Sequence, residues 1–80
     1  MEIRVLNVKK FGEENPRYAV GIQLDESVKI FDLQILKNEG GRYYLRYPWG
    51  QYGPPVLFDY EFKKQVEEII LKHLNLQNDK

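Results

Sequence analysis

Residues 28–48, VKIFDLQILKNEGGRYYLRYP, decide the fold. The cluster Asn38, Glu39, Gly40 and Gly41 breaks them into a strand over 28–37 and a second over 42–47. Phe31, Leu33 and Ile35 recur at period two on the first strand. Tyr43, Leu45 and Tyr47 do so on the second, which turns Arg42, Tyr44 and Arg46 outward. A turn of two or four residues would set Ile35 against Tyr44 and bring the wrong set inward. The hairpin therefore needs a bulge with a glycine at positive φ, which moves the register by one.

Working outward, residues 18–25, YAVGIQLD, hold the cleanest alternation of the chain. Tyr18, Val20, Ile22 and Leu24 share a face, opposite Ala19, Gly21, Gln23 and Asp25. Glu26 and Ser27 leave a two-residue turn. It pairs Leu24 with Lys29, Ile22 with Phe31, Val20 with Leu33 and Tyr18 with Ile35, and it joins the two apolar faces. A first strand over 2–9 has Ile3 and Val5 on one face but Leu6 and Val8 on the other. Either a bulge lies near Val5 and Leu6, or both faces are partly covered. Gly12, Asn15 and Pro16 make 11–17 a connecting loop.

Beyond the hairpin, residues 48–55, PWGQYGPP, form an aromatic, proline-rich loop, and 56–58 a short final strand. Asp59 fits a helix N-cap, with Glu61 in the first turn, and the helix is expected over 60–75. Phe62, Val66, Ile69, Ile70, His73 and Leu74 make one stripe at helical spacing. Glu61, Lys64, Gln65, Glu68 and Lys72 fall on the wet side. The expected fold is α+β: an antiparallel sheet of four to five strands with one C-terminal helix packed on one face. Residues 1–76 make a single domain, and 77–80 a polar, frayed tail.

The chemistry is sparse. There is no cysteine, which excludes disulfides and thiolate metal sites and fits a reducing, cytoplasmic setting. No 18-residue apolar run is present, so no helix spans a membrane. The first ten residues lack the apolar core of a signal peptide. Ser27 is the only serine, and threonine is absent, so triad catalysis lacks its parts. Glu67 and Glu68 are adjacent and share no helix face. Asp32 lies mid-strand opposite Gly21, away from the helix, where it is solvated, paired or held at a dimer interface. His73 has no second ligand at helical spacing and reads as a partly buried structural residue. Gly40-Gly41 is a hairpin turn, not a phosphate loop. No catalytic residue, metal, cofactor or small-molecule substrate follows, and the expectation is a protein that is not an enzyme.

The surfaces carry more. Arg42, Tyr44 and Arg46, with Lys9, Lys10 and Lys29 nearby, could form a basic, aromatic face, because arginine pairs with phosphate and tyrosine stacks on bases. The same residues suit a solvated face or a dimer contact. Lys63 and Lys64 at the helix start form a second basic spot, diluted by Glu61, Glu67 and Glu68. Twelve basic and twelve acidic side chains cancel, which weighs against a strong nucleic-acid binder but not against a local patch. Trp49 and Tyr52 either form an interaction loop for a peptide, a base or another protomer, or fold back over the sheet edge.

The run LD followed by VKIFDLQIL, the strand YYLRYP and the helix FKKQVEEIILKHL together resemble the SpoVG family, small bacterial septation and sporulation-stage regulators. Asp32 within an alternating strand, Pro48 after Tyr43, Leu45 and Tyr47, and Asp59, Lys63 and Lys64 at the helix start match the family's pattern. The loop WGQYGPP is shorter than the family's, and Val56, Leu57 and Phe58 replace its His-Pro-Ile. The resemblance implies one helix on an antiparallel sheet, a homodimer formed by sheet edges, and DNA or RNA binding as a regulator. The alternative reading is a protein-interaction module that uses the 48–55 loop and binds no nucleic acid.

Overall fold

The structure, a computed structural model, describes residues 1–48, 51, 53 and 56–78. Four strands follow one another as an antiparallel meander in the order β1 (Ile3–Phe11), β2 (Arg17–Leu24), β3 (Val28–Lys37) and β4 (Tyr43–Arg46). The helix α1 (Tyr60–His73) lies across one face and touches both edge strands. This is the α+β arrangement expected. Residues 56–58 form no strand, contrary to expectation. They run as an irregular segment pinned by Phe58, whose N–H donates to the Tyr47 hydroxyl at 3.1 Å and whose ring packs edge-on against Tyr47 and Phe62.

Val20, Ile22, Ile30, Leu33, Ile35 and Leu45 from the sheet meet Val66, Ile70 and Leu71 from the helix in the core. Fully burying each such side chain contributes about 1.5–3 kcal/mol. The helix stripe is rotated from the one expected. Leu71 is buried, while Ile69 is only partly buried and His73 exposed. His73 is therefore not a partly buried structural residue.

Two bulges organise the sheet around Gly21. Val5 pairs with Ile22 and Val8 with Val20, so Leu6 and Asn7 together oppose Gly21. On the other side Ile22 pairs with Ile30 and Val20 with Leu33, so Phe31 and Asp32 together oppose the same glycine. The first bulge is where the polarity of β1 breaks. The second was not expected, and it corrects the register. Leu24 pairs with Val28, leaving Asp25, Glu26 and Ser27 as a three-residue turn with Asp25 at φ 51°. The extra turn residue and the extra bulge residue offset one another, so Val20–Leu33 and Tyr18–Ile35 pair as anticipated. Between the two irregularities, Ile30 takes the inward place assigned to Phe31, and Phe31 is 51% exposed on the other face.

The β3–β4 turn follows the sequence. Gly41 sits at φ 84°, Asn38 N–H donates to the Arg42 carbonyl, and Ile35 pairs with Leu45. The helix ends at His73, before the expected 75. Asn75 adopts φ 59°, Leu76 N–H donates to the Leu71 carbonyl at 2.9 Å, and Asn75 N–H to that of Lys72 at 3.2 Å. This left-handed cap reverses the chain and lays Leu76 against the core. Residue 78 then reaches β4, so the tail is not frayed there. The Asn78 Oδ1 accepts from Tyr43 N–H at 2.6 Å, and its Nδ2 donates to the Tyr43 carbonyl at 2.8 Å.

Candidate nucleic-acid interface

Strand alternation divides the polar residues between two faces. With the helix on one, no described element covers the other, and the pairing sets its side chains in rows. Lys9, Ala19, Gln34 and Arg46 form one row across all four strands. Beside it Phe11 faces Arg17, and Leu36 faces Tyr44. Phe11, Arg17 and Leu36 also line a shallow groove of about 280 Å³. At the far end Arg4, Gln23 and Lys29 form a third row. Phe31 lies between, over Gly21.

The charge balance of this face differs from that of the whole chain. Lys9, Arg17, Lys29 and Arg46 are exposed, and among the described residues none is in an ion pair. Arg4 is paired with Glu2 at 3.2 Å, both exposed. Asp32 is the acid in the strand interior here, held at φ 64° in the bulge. The remaining described acids lie in turns, in loops or on the helix. Three rings stand among the cations: Phe11 is 49% exposed, Phe31 51% and Tyr44 38%. The arrangement offers cations for phosphate and flat rings for bases on one surface.

The expected basic residues do not all gather there. Tyr44 and Arg46 share the face with Lys9, and Lys29 lies at its other end. Lys10 pairs with Tyr18, an inward position, and so belongs to the helix side. Arg42 precedes β4 and borders a groove of about 630 Å³ beside Lys64, Glu67, Glu68 and Lys72 on the helix. The strip from Arg42 to Arg46 is therefore split. Lys63 and Lys64 also sit on the helix side, with ammonium groups 5.3 Å from the Tyr47 ring and 5.4 Å from the Tyr60 ring. Trp49 and Tyr52, the expected interaction loop, lie outside the described residues.

Reasoning from the sequence missed Phe11, Arg17, Phe31 and Leu36. Phe11 and Arg17 fall on either side of loop breakers, and their mutual pairing is what extends both strands. Phe31 fits an apolar alternation that only the bulge interrupts. The signal that could have found it is Gly21 opposite, since a strand glycine marks a bulge or a close approach.

Among the described residues no cluster of three or more His, Asp or Glu side chains could hold a metal ion. No described helix is long and apolar enough to cross a membrane. No family model, curated protein or solved structure matches this chain.

Proposed function

We propose that the chain is a SpoVG-like, non-enzymatic regulatory protein of the cytoplasm that binds nucleic acid through the uncovered sheet face. The observation that carries this reading is the concentration of Lys9, Arg17, Lys29 and Arg46 around exposed Phe11, Phe31 and Tyr44 on that face. A chain of zero net charge that keeps most acids off one surface still presents a local positive field there. The protein acts as a homodimer joined by sheet edges. The edge of β4 is already occupied by Asn78 and Glu67 side chains, which favours β1 as the joining strand.

Fluorescence anisotropy with labelled random pools of DNA and RNA, at low and physiological salt, tests the reading. Binding should weaken steeply with salt. One phosphate for each of Lys9, Arg17, Lys29 and Arg46 gives a log–log slope of about −3 on a single strand. Flat traces at micromolar protein would exclude general binding through this face.

A further inference from the structure

Resting on that reading, we infer that the polymer this face takes is single-stranded, with separate unpaired bases stacked on Phe11, Phe31 and Tyr44. Phe11 and Tyr44 stand on the two edge strands, three strand spacings or about 14 Å apart. Phe31 lies about four ladder positions from Leu36, the partner of Tyr44, which is about 13 Å along the strand direction. Rings at such separations cannot share one base or a continuous stack of neighbours. Each meets its own base, while cations between them meet the connecting phosphates.

A duplex cannot use this arrangement. Its base faces are hidden in the stack, and its base edges are reached by elements that enter a groove. The uncovered face presents the middle of a sheet, not a projecting helix or ribbon. A duplex would meet the cations and leave the aromatic rings in water. A single strand can splay its bases onto the rings and keep its phosphates over Lys9, Arg17 and Arg46.

The Phe31 ring also has a structural part, because it packs over Gly21. Leucine is therefore the test substitution, since it keeps an apolar cover and removes the flat ring. The measurement is anisotropy titration of one labelled 12-mer, single-stranded and then annealed to its complement, at fixed salt. It is made with the native chain and with Phe31→Leu, Phe11→Leu and Tyr44→Leu. The expected result is single-strand binding at least about tenfold tighter than duplex binding, reduced about tenfold by each substitution. An unchanged melting temperature for each variant keeps the loss assignable to the ring.

Equal or tighter duplex binding, or leucine variants that bind the single strand as the native chain does, would overturn the inference and leave the nucleic-acid reading standing. Binding to neither form would overturn both. A native dimer that the leucine substitutions dissociate would identify a second copy as the occupant, and that too would overturn the inference.

Discussion

The side-chain oxygen of Asn7 accepts the backbone N–H of Gly21 at 2.9 Å, across the point where both neighbouring strands bulge. The side chain supplies an acceptor where the regular ladder is interrupted, and Gly21 is buried. A β-carbon on Gly21 would lie 2.6 Å from that oxygen and 2.8 Å from Cδ1 of Phe31. Gly21→Ala should therefore cost about 1–3 kcal/mol through overpacking. Asn7→Ala should cost about 1–3 kcal/mol by leaving a buried donor unpaired. Urea titration measures both, and a change below about 0.5 kcal/mol in each would show that the two bulges do not depend on this contact.

The rotated helix stripe gives a sharp contrast between neighbours. Leu71 is 7% exposed in the core and Ile69 is not part of it. Leu71→Ala should destabilise by about 2–5 kcal/mol. Ile69→Ala should cost less than about 1 kcal/mol, and His73→Ala should fall within about 0.5 kcal/mol of the native chain. The order of the three denaturation midpoints is the readout.

Asn78 holds β4 by two hydrogen bonds to one residue. Asn78→Ala should lower stability by about 1–2 kcal/mol and speed exchange of the Tyr43 amide. Exchange at Leu45, whose N–H donates to Glu67 Oε2 at 3.3 Å, should change less. Hydrogen exchange read residue by residue by NMR separates a local release of the edge from global loosening.

Lys9 and Lys10 are adjacent in sequence and on opposite faces. Lys9→Glu, or Arg46→Glu in the same row, should weaken nucleic-acid binding and flatten its salt dependence. Lys10→Glu should do neither. Reversal of Lys63 and Lys64 should also leave binding intact, because both sit on the helix side. An effect of the helix pair equal to that of Lys9 would move the interface to the other side of the molecule.

Asp32 is an acid on the proposed binding face and is held in the left-handed region. Asp32→Gly relieves that backbone penalty and removes a negative charge. The variant should be as stable as the native chain within about 1 kcal/mol and should bind a polyanion more tightly. A melting curve and the same anisotropy titration check the two halves.

The fold class and the strand order were legible because each strand after the first carries alternation on both sides of a turn signal. The Gly41 register shift could be deduced because only one register puts Tyr43 and Leu45 inward. The bulge at Phe31–Asp32 could not. Its displacement is offset by the three-residue turn at 25–27, so the pairs farther from the turn agree with a regular hairpin. The binding face inherits this difficulty. Phe31 joins it only through the bulge, and Arg42 leaves it because it precedes β4 and borders the groove beside the helix. The hold of Asn78 on Tyr43 joins residues 35 apart, and it exists only because Asn75 reverses the chain. Composition gives no sign of such a contact.

A sheet with two bare edges can add copies at either side and grow into a ribbon. Here the outward N–H groups of Tyr43 and Leu45 are filled by side chains of the same molecule. Among the described residues that leaves the chain with a valence of one for edge pairing, through β1. In the proposed homodimer, two copies that joined there would use up each other's β1 edge, and the pair would close with two-fold symmetry. On that reading the small Asn78 amide would act as a terminator, because it fills the edge groups of Tyr43 that a further copy would need.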